Sequence, residues 1–177
     1  MSTRKNRNLV LEKVELVLTE VAEMRARGPH FRIYHRFHDF DSGLTCAPGE
    51  EIFGVCLVHR SREHFLSLSL SLRLLFDYLA RYSRFPQNAA QIEAGIRADR
   101  FCTQHGKRAG EPCRLTRKIT RSYVRVYIQR LRTGMLCVFR EAGLTIDPNV
   151  VVVSEATVSS EMGYRLKASF EWVHWRI

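Results

Sequence analysis

The sequence predicts an α+β fold, and three observations lead to that prediction. Between residues 31 and 70, apolar and polar residues alternate with a period of about two, which is typical of strands. From residue 71 to residue 142, the apolar residues recur every three or four positions, as they do in helices that pack on a core. Beyond residue 150 the alternation returns, and it indicates a C-terminal β-hairpin.

Length and composition are compatible with one domain. The chain has 177 residues, of which 45% are hydrophobic, so enough apolar material is present for a real core. No apolar run approaches the roughly 20 residues that a membrane-spanning helix needs. No secretory leader pattern follows the basic start of the chain, so we expect a cytoplasmic protein.

Residues 1–29 are predicted to carry a helix that ends at Gly28-Pro29. Its apolar positions follow alternating steps of four and three residues, the spacing of a heptad seam: Val10, Val14, Val17, Val21 and Met24. The helix either lies on its own domain or pairs with a second copy. A seam of under three heptads is marginal on its own.

The next segments are predicted to form an N-terminal antiparallel sheet. Strands are expected at residues 31–40, 52–59 and 65–70, with the turn segments DSGLTCAPGEE and RSREH between them.

Three helices follow the sheet in the prediction. The first covers about residues 71–81, and the second opens at Asn88, where Gln91 completes a capping box. The third is the longest, from about residue 117 to residue 142, and Gly143 ends it. Its apolar residues form a single stripe: Val124, Ile128, Leu131, Met135 and Val138.

The C-terminal hairpin is predicted from strands at residues 150–155 and 164–172. TVSSEMG forms the tip between them, and Gly163 is expected where the chain turns and a side chain would interfere.

Charge is distributed unevenly along the chain. The formal net charge is +10, and the span from residue 100 to residue 140 holds eleven basic residues with Glu111 as its one acid. A solvated surface normally interleaves both signs, so this block favours binding to a polyanion. Nucleic acid is favoured over a membrane surface, because no basic amphipathic stretch carries a lipid-facing aromatic band.

The outward side of the third predicted helix is polar and cationic, and its residues suit contacts with DNA. Arg125 and Arg130 are candidates for guanine, Gln129 for adenine, and Val126 for a thymine methyl group. Phosphate contacts are expected from the residues around this face: Arg117, Lys118, Arg121 and Arg132. Ser122 lies on the polar side of the predicted helix and is a further candidate for DNA contact. For Tyr164, a phosphate contact through the hydroxyl and a purely buried ring remain equally open.

Three motifs resemble, in order, the OmpR/PhoB-type winged helix-turn-helix domain. LSLSLRLLFDYLARYSRFP resembles the first helix of that family, with Leu75-Phe76 and Leu79 at its apolar positions. SYVRVYIQRLR resembles the recognition helix and matches its basic pair at Arg130 and Arg132. GYRL resembles the end of the wing.

The resemblance implies a winged helix domain over residues 30–177, preceded by the N-terminal helix. Its parts would be the sheet at 31–70, a three-helix core at 71–142 and a β-hairpin wing at 150–175. It also implies binding to double-stranded DNA, with the third helix in the major groove. Family wings commonly carry an arginine three residues before the glycine, where this chain has Ser160.

Enzymatic activity is not expected. The sequence contains no HExxH, P-loop, nucleophile elbow or paired-carboxylate cluster, and it gives no sign of a cofactor or small-molecule ligand. Five cysteines without a CxxC pair favour reduced thiols over disulfides. Cys102, His105 and Cys113 lie close together but lack an evident fourth ligand, so free thiols are favoured over a zinc site there.

The sequence therefore predicts a DNA-binding transcription regulator. Because DNA-binding proteins often act in pairs, we favour a homodimer that reads two half-sites. Two alternatives remain open: a protein–protein adaptor built on a winged helix, suggested by the absent wing arginine, and a replication or partition protein.

Overall fold

The computed structural model describes residues 28–37, 52–98 and 119–176, and within them the fold is mixed α+β with four helices and two sheets. The strands are β1 His30–Phe37, β2 Ile52–His59, β3 Arg62–Phe65, β4 Gln87–Asn88, β5 Val152–Ala156, β6 Met162–Leu166 and β7 Ser169–Arg176. The helices are α1 Leu70–Arg81, α2 Ala89–Ala98, α3 Val124–Glu141 and the short α4 Pro148–Val151.

The first sheet joins the two ends of the described chain. Its strand order is β3-β2-β1-β7, and β1, β2 and β3 pair antiparallel, in agreement with the predicted direction of those strands. Strand β7 runs parallel to β1, with His30 opposite Ser169 and Phe37 opposite Arg176. The prediction of a purely antiparallel sheet was therefore wrong.

The predicted C-terminal strand at residues 164–172 is two strands that belong to different sheets. Strand β6 ends at Leu166, and β7 begins at Ser169 after Lys167 and Ala168. The apolar alternation continues through this break, because the ring of Phe170 packs edge-on against Phe76 in the core. The sequence pattern therefore does not mark the point where the chain changes sheets.

The segment before α1 also differs from the prediction. The turn is confined to Arg60 and Ser61, which have φ angles of 50° and 58°, and β3 precedes the predicted third strand. Residues 66–69 lie outside both sheets, and the N–H of Leu68 donates to the carbonyl of Leu66 at 2.9 Å. Leu66 and Leu68 alternate with polar residues because they bury their side chains in the core, at 5% and 8% exposure.

The core lies between the first sheet and the helices. Phe31 and Ile33 of β1 are fully buried, and so are Leu75, Phe76 and Leu79 of α1. The predicted apolar stripe of α3 is confirmed as its buried side: Val124, Ile128, Leu131, Met135 and Val138 are at most 2% exposed.

Helices α1 and α2 approach closely at Gly95. A Cβ atom at that position would lie 2.2 Å from a ring carbon of Tyr78. The Tyr78 hydroxyl donates to the carbonyl of Gln91 at 3.0 Å, and burial raises the pKa of Tyr78 to about 12. This contact fixes α2 on α1.

The second sheet has the order β4-β6-β5, and both of its strand pairs are antiparallel. Gly163 lies inside β6 and not in the turn, contrary to the prediction. A Cβ there would lie 2.6 Å from the Thr157 methyl and 3.1 Å from Pro86. Gly163 therefore permits the close approach of β6 to β4, and Ser160 occupies the left-handed turn position at φ 62°.

Side-chain caps mark the starts of two of the four described helices, α2 and α4. The capping box is confirmed, because the Asn88 and Gln91 side chains each accept from the other residue's backbone N–H at 2.8 Å. A helix replaces the start of the predicted 150–155 strand, since Pro148 suits a first turn and Asp147 accepts from the N–H of Asn149. None of the helices in the described ranges has the length and apolarity to cross a bilayer.

Candidate nucleic-acid interface

Helix α3 separates its residues into two sides. The apolar stripe is buried against the core, whereas Arg125, Val126, Gln129 and Arg130 are exposed. Val126 is 43% exposed and is the aliphatic residue of this polar surface. We call these four residues the α3 outer face. Their exposure follows directly from burial of the stripe, because successive helical residues are rotated by about 100°.

The two arginines of the α3 outer face have no acid partner in the part of the chain that the structure describes. Within the described residues, no carboxylate forms a salt bridge with Arg125 or Arg130. The guanidinium of Arg130 lies 5.9 Å from the ring centroid of Tyr127, a cation–π contact that orients it and leaves its charge uncompensated. These guanidiniums therefore keep their donors available for a polyanion.

Arg132 occupies a different environment from the one expected. Its Nε and Nη2 atoms donate to the carbonyl oxygen of Val152 at 3.0 and 2.6 Å, and Nη2 also donates to Ser154 Oγ at 3.0 Å. Arg132 is half-buried. The predicted phosphate contact is replaced by a bridge that fixes α3 against strand β5.

The turn before α3 is held to helix α2. The N–H of Arg121 donates to Glu93 Oε2 at 3.0 Å, and the other oxygen of Glu93 pairs with Arg97 at 2.6 Å. Thr120 and Ser122 hydroxyl oxygens lie 3.1 Å apart. Residues 119–123 precede the helix, so Arg121 and Ser122 lie in this turn and not on α3 as predicted; both are exposed.

An open surface depression of about 640 Å³ lies between the start of α2 and this turn. Its lining comprises Ala89, Glu93, Thr120, Arg121 and Ser122. The hydroxyls and Arg121 offer donors, while the charge of Glu93 is compensated by Arg97. The depression therefore lies beside the turn that leads into α3.

The hairpin of β5 and β6 carries few unpaired cations. Arg165 and Lys167 both pair with Glu155, at 2.9 and 2.7 Å. These two cations, with Lys167 contributing more than Arg165, hold the pKa of Glu155 below its usual range. At the tip, Val158 is fully exposed and Glu161 accepts from the side-chain amide of Asn88.

Tyr164 lies in β6, the middle strand of the second sheet. It is opposite Gln87 of β4 and Ser154 of β5, and its half-buried ring packs against the core. This environment supports the interpretation of Tyr164 as a packing residue. Tyr123, which the sequence interpretation passed over, is 58% exposed at the N-terminal cap of α3. No sequence signal marked it, because the predicted helix began at about residue 117.

Several predicted residues lie outside the described ranges. They are Arg117, Lys118, the dimerisation residues Val10, Val14, Val17, Val21 and Met24, and the possible metal ligands Cys102, His105 and Cys113. Residues 28–37, 52–98 and 119–176 contain no cluster of three or more potential metal-binding side chains. Burial raises the pKa of Cys56 to about 12, so this thiol stays neutral.

Comparison of the chain with protein-family models, curated proteins and solved structures gives no match. The resemblance to the OmpR/PhoB type therefore stays a prediction, and the functional argument depends on the geometry and charge of this surface.

Proposed function

We propose that the protein binds double-stranded DNA by inserting the α3 outer face into the major groove. The observation that carries this proposal is the exposure of Arg125, Gln129 and Arg130 on a helix whose opposite side is buried. An α-helix with its side chains is about 10–12 Å wide, and the major groove is about 12 Å wide.

The order of elements supports the same proposal. Helix α1, strand β4, helices α2 and α3, and the hairpin of β5 and β6 follow one another as in a winged helix-turn-helix. In a helix-turn-helix the recognition helix lies in the major groove and its N-terminal residues contact base edges. Arg121 and Ser122 lie in the turn before α3 and are the candidates for phosphate.

Selection of bound duplexes from a random pool, followed by titration of the selected site, tests the proposal. Arg130→Ala is expected to weaken binding by about 1–3 kcal/mol. Arg62→Ala is the matched control, since Arg62 is also an exposed arginine but lies on β3 of the first sheet. Equal affinities for the two variants would refute the assigned role of Arg130.

A protein–protein adaptor is the second candidate function. The apolar tip of the hairpin favours it, because Val158 is fully exposed and Met162 is 61% exposed. An adaptor predicts negligible affinity for any duplex even at low salt.

If the protein binds DNA, the same contact would serve either transcription regulation or the alternative role in replication or partition.

A further inference from the structure

The two edges of the first sheet differ in how they are protected. Strand β3 forms one edge with four residues, of which Arg62, Glu63 and His64 are polar, and it is short and charged as natural edges usually are. Strand β7 forms the other edge with eight residues and contains no proline. Its sequence, SFEWVHWR, is rich in aromatic and β-branched residues that favour pairing.

The second sheet protects its edges as well. Strand β4 has only two residues, and the carbonyl oxygen of Val152 in β5 is occupied by the guanidinium of Arg132. Among the edge strands that the structure describes, β7 is thus the one that is neither short nor capped by a side chain.

The register with β1 identifies which backbone groups of β7 point outward. The N–H of Ser169 donates to the carbonyl of Pro29, on the β1 side. Because successive residues of a strand direct their N–H and C=O to opposite sides, Glu171, Val173 and Trp175 also face β1. The outward groups belong to the alternate residues Phe170, Trp172, His174 and Arg176.

We propose that β7 pairs with β7 of a second copy of the chain, antiparallel and centred on Val173. In this register Phe170 lies opposite Arg176 of the other copy and Trp172 lies opposite His174, so every outward residue of the strand gains a partner. Glu171 lies opposite Trp175, and no two like charges face each other. If the centre of the pairing is shifted along the strand, the outward N–H and C=O groups at one end of β7 lose their partners.

The pairing would extend the sheet from four strands to eight across a two-fold axis. A contact of this kind is isologous, so one strand supplies both sides of the interface. It would relate two α3 helices by two-fold symmetry, as dimeric DNA-binding proteins require, but it needs no DNA to form. Its failure and the failure of DNA binding are therefore separable.

Sedimentation equilibrium of the full chain without DNA is the first test, and it should show a dimer at micromolar concentration. His174→Pro removes an outward N–H and should raise the dimer dissociation constant at least about 100-fold while the monomer stays folded, since edge strands tolerate proline on the solvent side. Val173→Pro is the matched control: it removes an N–H directed at β1 and should unfold the sheet.

A cross-link provides the second, independent test. The Val173 pair is a non-hydrogen-bonded pair with a Cα separation of about 4.5 Å, within the range for a disulfide. Val173→Cys should form a covalent dimer on oxidation in a background that keeps only the buried Cys56 and carries Cys46→Ser, Cys102→Ser, Cys113→Ser and Cys137→Ser. Ser169→Cys in the same background should not, because its symmetry mate lies about eight residue steps, or roughly 27 Å, away.

Three results would overturn the proposal. They are a wild-type monomer at micromolar concentration, equal cross-linking of Val173→Cys and Ser169→Cys, and a His174→Pro variant that stays dimeric. If His174→Pro stays dimeric while Val17→Asp becomes monomeric, the N-terminal heptad positions form the contact instead.

Discussion

Arg125 and Arg130 of α3 have different neighbours from Arg32 of the first sheet. Arg32 on β1 lies between Glu63 and Glu171, and hydrogen bonds to Glu171 and then to Tyr34 and Glu63 hold its pKa above the usual range. Arg125 and Arg130 are exposed and have no acid partner in the described residues. Arginine thus holds strands together in the first sheet, whereas on α3 its guanidinium groups remain available for a binding partner.

The comparison shows that net charge is a poor guide to the binding surface of this protein. The chain carries a formal charge of +10, but Arg32, Arg165 and Lys167 are compensated by nearby carboxylates. On the α3 outer face, by contrast, two exposed arginines without a salt bridge to a described carboxylate lie close together on one helix. Substitutions of paired and unpaired cations should therefore have opposite effects on stability and on DNA binding.

The largest effect is expected from removal of both unpaired arginines. Arg125→Ala with Arg130→Ala should weaken binding to the selected duplex by about 2–6 kcal/mol if the two contacts are additive. The free energy of unfolding should change by less than about 0.5 kcal/mol, since neither side chain is buried. Fluorescence anisotropy and urea unfolding measure the two quantities, and intact duplex binding would refute the comparison.

Arg132 should behave as a structural residue although it is two positions from Arg130. Arg132→Met leaves the Val152 carbonyl without its donors, so the free energy of unfolding should fall by about 1–3 kcal/mol. Arg130→Met serves as the control, and its free energy of unfolding should equal that of the wild type. An unchanged urea midpoint for Arg132→Met would show that the bridge to β5 contributes nothing.

A smaller loss is expected at Arg32. Its ion pairs with Glu63 and Glu171 are partly exposed, with the Arg32 side chain at 30%, so Arg32→Met should reduce the free energy of unfolding by about 0.5–1 kcal/mol. DNA affinity should be unaffected, because Arg32 lies on the first sheet. A drop in affinity comparable to that of Arg130→Ala would remove the distinction between the two regions.

The smallest effect concerns pH. Lys167 holds the pKa of Glu155 below its usual range, and Arg32 does the same for Glu171. The ionised, paired forms stabilise the fold above the unfolded pKa of about 4.5, and this contribution is lost as the pH falls through the lowered pKa values. Thermal melts from pH 6 to pH 3 should show the decline, and Lys167→Gln should make it shallower. A wild-type melting temperature independent of pH would contradict this.

Those features of the fold that depend on local patterns were predictable from the sequence. The buried stripe of α3 follows from the spacing of Val124, Ile128 and Leu131, and the start of α2 follows from the reciprocal bonds that Asn88 and Gln91 can make. Exposure of Arg125 and Arg130 is a consequence of the same periodicity.

Features that depend on contacts between distant residues were not predictable in this way. The parallel pairing of β7 with β1 joins residues about 139 positions apart, as in the pair Arg32 and Glu171, and alternation alone does not specify a partner strand. Helical periodicity likewise does not predict that Arg132 donates to Val152, because the two residues are 20 positions apart. The sequence predicts Gly163 to lie in a turn. Its actual role depends on the close approach of Pro86, a contact between distant residues that the sequence does not show.

The most direct test of the central claim is a base-by-base binding profile of the selected duplex with wild-type protein and with Arg130→Ala. The α3 outer face in the major groove predicts that the variant loses about 1–3 kcal/mol of discrimination at one base pair and keeps the wild-type preferences elsewhere. A variant profile that matches the wild type at every position would contradict the claim that this helix reads DNA.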